Sequence, residues 1–453
     1  MALRLALMSR DVVITGLGAV SGYGVGAAAL WDGLLSGKSA LRRLTLVEPA
    51  GFRSRHGAEV AEFSAKEHVP KHYRKALKVM ARDTEMAVVC AKFAVEHAGL
   101  KTKALLPEDS SESPTYAPAR VGCQIGAGLI AAEVPELAAA MAASTDAERG
   151  RAGAGGFSYE KWGSGGMENL TPLWLLKYLP NMLACHVTIL HDARGPSNTI
   201  TCAEASGLLS IGESVRVIQR GAADACFSGS CESKLNHMGI QRLEFAGRLA
   251  ATPDDAGFDA SGVVRPYDAA ATGGLLGEGG GILMLEAAES CAARGGRGIA
   301  RVLGFGAGLS ASLEAPDGEG LRYAIENALE DAGTRADEVD AIAPQGCGAA
   351  AVDRAEAEAL RAVFGARLKD VPLVTLAPLL GECVAGAGGL ASVAAAQMIA
   401  HQTLPARIHA GTCPADLRAG ASKATDARLR RVLVCTGSLG GQCAAVVLGP
   451  AGG

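Results

Sequence analysis

The sequence predicts an α/β protein built from two α/β/α halves stacked on each other, and three observations predict it. Short apolar, β-branched runs end in glycine and hand over to stretches with helical apolar spacing. The string AKFAVEHAGL at 91–100 has a counterpart at a similar place in the second half, AIENALEDAGT at 324–334, a weak internal repeat. Gly reaches 59 residues while aromatics make up 4%, so close backbone approaches must supply much of the packing.

In order, residues 11–17 (DVVITGL) read as a buried strand closed by Gly16 and Gly18, and 27–35 as a helix stopped by Gly37. Residues 82–97 have helical spacing and end at Gly99. A second strand, 120–126, runs into glycine after a Ser- and Pro-rich loop at 110–118. Residues 150–166 hold seven Gly and read as a mobile surface insertion capping an entrance. A strand at 197–201 meets the small-residue turn Cys202-Ala203-Glu204-Ala205-Ser206-Gly207, then an apolar helix at 208–220 and a strand at 223–228. That order places one side chain at a helix N-terminus deep in the fold. The second half restarts with a strand at 299–306, a helix at 321–332 ending at Gly333, and a strand at 340–343.

Composition narrows the function classes. With 453 residues, 49% hydrophobic and 20% charged, the chain has the balance of a soluble globular protein with a large core. A net charge of −4 and scattered Lys and Arg argue against a nucleic-acid surface. The twelve Cys form no C-x-x-C, and Cys226 and Cys231 lack partners at metal spacing, so reduced thiols in the cytoplasm and no metal are expected. The first seven residues are too short for a signal, Met8 offers an alternative start, and no apolar run is long enough to span a membrane. The glycines at 277–281 do not open a βαβ unit with a downstream acid, so neither a dinucleotide nor any other cofactor is expected.

Several segments together resemble the β-ketoacyl synthase family of the thiolase fold, over nearly the whole chain. They are RDVVITGLGAVSGYG near the start, YLPNMLACHVTILHDARGPSNTIT before the turn at 202–207, RGAADACFSGSCES after the following helix, and RPYDAAATGGLLGEGGGILMLE at 265–286. The resemblance implies a thiolase fold with duplicated α/β/α halves in five layers, α-β-α-β-α. It divides the chain into an N-terminal half at 10–290, carrying the 150–166 insertion, and a C-terminal half at 296–450.

In the family, a Cys at the helix N-terminus takes an acyl group from acyl carrier protein or coenzyme A. Two His polarise the malonyl thioester, and a Lys paired with a Glu supports the site. A thiolate is the nucleophile such chemistry needs at neutral pH, and the enolate oxygen needs fixed donors. Counting back from Ile211-Gly212 puts the nucleophile position on Glu204. PQGCGA at 344–349 stands where the family has A-H-G-T-x-T, so the first His becomes Gln345, with Asp353 and Glu356 at the expected distances after it. LAPLLGECVAGAGG stands where the family has T-K-S-M-T-G-H-x-x-G-A-A-G, so the Lys falls on Ala377, the second His on Glu382 and the Lys partner on Ala391. The family's G-F-G-G-T-N turn survives partly as SLGGQC at 438–443.

Losing a nucleophile that acts as part of a unit costs on the order of 10⁶ in rate, so ordinary condensation is not expected. Glu204 has three readings. It fills the cysteine pocket as a helix-end acid, held by the helix dipole and free N–H groups against desolvation. Or it promotes malonyl decarboxylation, as a Gln does there in some related synthases. Or the nucleophile is displaced to Cys202, which otherwise ends its strand as a buried thiol. His186 and His191 read as structural.

The chain most resembles chain-length factors, ketosynthase-like subunits that pair with an active synthase and shape its acyl tunnel; these often carry Gln where AEASGLL has Glu. The resemblance implies a heterodimer with a catalytic ketosynthase, or a homodimer, through about 199–203 and Pro180-Asn181. It also implies an acyl carrier protein as partner, in polyketide or fatty-acid assembly. The alternatives are an active malonyl-thioester decarboxylase using Glu204, a synthase with a displaced nucleophile, or an acyl-lipid-binding protein reusing the tunnel.

Overall fold

The computed structural model describes residues 10–107, 109–145, 156–311 and 317–452. The first half contains β1 (Val12–Ser21), α1 (Ala27–Ser36), α2 (Arg82–Ala98), β2 (Val121–Gly126), α3 (Met182–His191), β3 (Ser197–Ile200), α4 (Ser206–Gln219), β4 (Ala225–Ser233), α5 (His237–Phe245) and β5 (Leu276–Ala287). The second contains β6 (Ala300–Leu309), α6 (Glu319–Asp331), β7 (Ala341–Ala343), α7 (Ala350–Phe364), α8 (Ala385–His401), β8 (Val432–Gly437) and β9 (Gln442–Pro450).

The strands run in the order β7-β8-β9-β6-β1-β5-β4-β2-β3. The two half-sheets meet where β1 and β6 pair antiparallel over Val12–Ile14 and Ala300–Val302. Three apolar clusters fill the spaces between layers. The central one holds Leu208, Ile211 and Val215 of α4 and Leu390, Val393 and Met398 of α8, against Leu283 of β5 and Val434 and Val446 of the other half-sheet. On one outer side, Met86 and Val89 of α2 and Leu183 of α3 cover Ile125, Phe227 and Met284. On the other, Leu321 and Ile325 of α6 and Leu360 of α7 cover Leu433 and Val447. The result is five layers, with the α2/β1 unit of one half matched by the α6/β6 unit of the other, as the repeat implied.

The central helices sit unusually close because small residues line them. A Cβ on Gly389 of α8 would lie 2.4 Å from the Gly281 carbonyl of β5, and one on Gly207 of α4 would lie 2.9 Å from the Gly389 nitrogen. Such approaches are open only to glycine, which is what the glycine-rich string at 277–281 is for; it is a strand, not a phosphate loop.

Three expectations change in detail. The strand expected at 223–228 runs on to Ser233, because Gly229, at φ 132°, passes through a conformation other residues rarely adopt and the chain keeps pairing with β5. The helix expected from 208 opens at Ser206, after a 3₁₀ turn at Ala203–Ala205. Of the insertion at 150–166, residues 150–155 lie outside the described residues, and the rest is more regular than a glycine-rich cap: Tyr159–Ser164 is a short helix whose Ser158 Oγ accepts from the Lys161 N–H at 3.2 Å.

Candidate functional site

The turn between β3 and α4 is built around Ser206. Its hydroxyl accepts from the Cys202 N–H (2.8 Å) and donates to the Ala203 carbonyl (2.6 Å). Ala203 is held at φ 45°, a left-handed conformation that strains a residue with a Cβ. The kink turns the next side chain, Glu204, inward, where it is 1% exposed.

The carboxylate's partners are not the N–H groups of its own helix. Glu204 Oε1 lies 3.1 Å from Arg248 Nη2, and Oε2 accepts from the Leu439 N–H at 3.1 Å. Arg248 is itself 7% exposed. Burial would pull its guanidinium down, but Cys347, Glu204 and Glu382 around it hold its pKa above the usual value, so it stays charged.

Two further loops close on Arg248. In residues 345–348 four successive N–H groups are held by acids of α7: Gln345 and Gly346 donate to Glu356 (2.8 and 2.9 Å), and Cys347 and Gly348 to Asp353 (both 2.9 Å). The two acids stand three apart on one helix face, which suits them to grip one loop. The Gln345 amide fits best with its nitrogen donating to the Gly437 carbonyl (2.7 Å) and its oxygen accepting from Arg248 (3.2 Å). The reverse orientation leaves only 3.4 Å contacts to Glu382 and Thr436.

Glu382 is fixed by its backbone, which pairs strand-like beside β5: its N–H donates to Leu275 (2.7 Å) and its carbonyl accepts from Gly277 (3.0 Å). Its Oε1 accepts from the Val384 N–H at 3.0 Å. Burial, and then the Glu204 charge, push the Glu382 carboxyl up to about 7. Glu382 therefore holds a proton for much of the time at neutral pH.

The structure thus gathers Glu204, Gln345 and Glu382, three residues singled out from distant parts of the sequence, around Arg248. Ala377 and Ala391 are close by, lining a cavity of about 470 Å³ with Leu208, Leu380, Gln345 and Glu382. A second cavity, of about 680 Å³, reaches Glu204 from the side of α5. Cys202 does not line that cavity; it packs in part against the central core, and burial raises its thiol pKa. The thiol that does reach the cluster is Cys347, with Sγ 3.7 Å from Arg248 Nη2, and burial pushes it well above the usual thiol value. His186 and His191 lie elsewhere, bonded through Nδ1 to the Tyr73 and Thr102 hydroxyls (both 2.8 Å). Burial lowers both, His191 to about 3, so they are neutral packing residues.

Reading the sequence missed Arg248, Cys347 and the Leu439 N–H. Arg248 sits in an ordinary Gly-Arg-Leu stretch with no spacing to mark it, and a backbone N–H carries no residue signal at all. Among the described residues no cluster of His, Cys, Asp and Glu is arranged to hold a metal, and no helix is long and apolar enough to cross a membrane.

Residues 9–290 match the N-terminal domain of β-ketoacyl synthases and residues 299–411 match the C-terminal domain. Among curated relatives, 3-oxoacyl-[acyl-carrier-protein] synthase 2 of Staphylococcus aureus is 28% identical over 407 residues, covering 89% of each chain. The actinorhodin polyketide putative β-ketoacyl synthase 1 of Streptomyces coelicolor is 28% identical over 455 residues, covering 97% of this chain and 89% of that one. Among solved structures, the ishigamide ketosynthase/chain length factor superposes with a TM-score of 0.79 at 28% identity, covering 98% of this chain and 100% of that one. A β-ketoacyl synthase from Burkholderia phymatum shares the fold, with a TM-score of 0.79 at 24% identity, covering 97% and 99%. The matched domains span most of the length, and the five-layer architecture is the family's own: this chain belongs to the β-ketoacyl synthase family.

Proposed function

We propose that this chain is a non-condensing ketosynthase-like subunit that pairs with a catalytically intact β-ketoacyl synthase and shapes the acyl tunnel in polyketide or fatty-acid assembly. In this reading Glu204, Gln345 and Glu382 stand where the family keeps its Cys and two His, Ala377 stands at the Lys, and the halves divide at 10–290 and 296–450. The observation that carries it is the Glu204–Arg248 ion pair. The residue in the turn leading into α4 is a carboxylate with both oxygens engaged, and no imidazole stands in the cluster. An acid whose lone pairs are committed to a guanidinium and a backbone N–H is a structural strut, not an attacking group.

The surface is consistent with pairing. Among the described residues β3 is hydrogen-bonded only to β2, leaving an edge with half-exposed Thr199 and Ile200 beside the 202–206 turn, and open edges invite another chain. Pro180 and Asn181 lie just before α3. The segment Lys71–Val79 presents Lys71, Arg74, Lys75 and Lys78, a basic face suited to an acyl carrier protein of opposite charge. All twelve Cys are free thiols, which suits the cytoplasm.

The test is reconstitution. The purified chain alone should neither become acylated nor elongate malonyl units. Added to a Cys-containing synthase partner, it should form a heterodimer and set product length. Acylation of the isolated chain would sink the proposal.

One observation favours a second reading, decarboxylation of a malonyl thioester: Glu382, half protonated near neutral pH, could donate to a thioester oxygen. Carbon dioxide release from malonyl carrier protein by the isolated chain, abolished in Glu204→Ala, would favour it.

A further inference from the structure

The cavity of about 680 Å³ beside Glu204 has an unusual lining for a place meant to hold hydrocarbon. Its lining includes the apolar Leu243 and Val384, but also the charged Glu204, Glu232, Lys234 and Arg242. Glu232, near the end of β4, and Lys234, just after it, form a buried ion pair. Lys234 Nζ also donates to the Leu129 carbonyl at 2.6 Å. An ammonium has three hydrogens, so one remains without a protein acceptor among the described residues. Arg242 lies on the same face of α5 as Gly239 and Leu243, and its guanidinium makes no hydrogen bond or ion pair among the described residues.

The charges add up simply. Glu232 is paired with Lys234, and Glu204 with Arg248 behind the lining, so Arg242 is the charge of the lining left without an opposite partner among the described residues. A saturated chain laid against Lys234 would strip water from a buried ammonium and give nothing back, a loss that burying polar groups always incurs. A carboxylate would instead receive charge-assisted bonds from both cations.

We propose that this cavity binds a dicarboxylic acyl group longer than malonyl, its terminal carboxylate held by Arg242 and the spare N–H of Lys234. The inference rests on the function proposed above only in taking the ligand to be an acyl group; the cation geometry stands without it. The carbonyl end of the chain lies toward Glu204, whose own oxygens are already engaged.

The experiment compares N-acetylcysteamine thioesters of adipate and hexanoate, which differ only in the terminal carboxylate, by isothermal titration on the full-length chain at pH 7.5 and low salt. The adipoyl ester should bind about tenfold more tightly, the size of one charge-assisted contact. Arg242→Gln, at an exposed position that does not hold the fold, should abolish the preference while leaving hexanoyl binding unchanged. Equal or tighter hexanoyl binding overturns the proposal, as does absence of binding by both esters or a preference that survives Arg242→Gln. Failure to pair with a synthase would defeat the proposed function yet leave this ratio untouched.

Discussion

Arg248 is the residue on which the site turns. It touches Glu204 and the Gln345 oxygen and stands close to Cys347, all in a water-poor setting. Removing one member of a buried ion pair leaves the other charge uncompensated, which costs roughly 3–5 kcal/mol. Arg248→Met should therefore lower unfolding stability by about that much in urea. The double substitution Arg248→Met with Glu204→Gln should recover most of the loss, because no charge is then stranded. Equal losses in the single and double variants would show that the pair contributes little. Glu382 behaves in the opposite sense. Its pKa is raised from 4.5 to about 7, so the folded chain keeps a proton that the unfolded chain has released, and stability falls as pH climbs through that window. Glu382→Gln should stabilise by about 2–3 kcal/mol more at pH 8 than at pH 5, with the difference read from urea unfolding at the two pH values.

These residues show what a sequence can carry. The resemblance to the family's motifs, aligned on Ile211-Gly212, on Asp353 and Glu356, and on the glycine run at 386–389, picked out Glu204, Gln345 and Glu382, and the fold brings all three together. What they bond to was not legible. Arg248 comes from a different stretch and reaches the site only because the chain after α5 folds back under it. Nor could residue type reveal that Glu204 would take a backbone N–H from the second half in place of its own helix.

At the scale of elements, the turn at 202–206 and the central helix pair carry the strain and the tight fits. Ala203 keeps a left-handed φ of 45° that a glycine would adopt freely, so Ala203→Gly should stabilise the folded chain by about 0.5–1 kcal/mol in chemical denaturation. A loss in place of a gain would mean that the alanine methyl packs to more effect than its backbone is strained. In contrast, Gly389→Ala sets a methyl 2.4 Å from a backbone oxygen of β5, and neither backbone can yield without shifting a buried layer. It should cost at least about 2 kcal/mol, the upper range for overpacking in a core. Element types and order were readable because glycine stops and apolar periods are local signals. The length of β4 was not, because a glycine inside a strand looks in sequence like the end of one.

Across the whole molecule, Asp83, Glu356 and Glu382 are each pushed up to about 7, with burial as the largest cause. Each is protonated in the fold at a pH where the unfolded chain is ionised, so their effects add with one sign. The melting temperature should fall from pH 6 to pH 8, more steeply than for the Glu382→Gln variant. A flat profile would mean that these acids ionise without penalty. The layered plan was legible from the repeat and the family strings, whereas the meeting of the half-sheets along β1 and β6 was not, since strand partners far apart in sequence leave no local trace.

The reach of Leu439 across to Glu204 bears on how this chain could change. Its N–H comes from the loop between β8 and β9, while the acid it grips lies in the turn just before α4, so one side chain clasps parts of the protein more than two hundred positions apart. A cysteine at position 204 would remove the clasp, strand the Arg248 cation and find no imidazole nearby. Any single change at this acid therefore loosens two distant loops at once, which ties the head of the central helix to the far end of the second half.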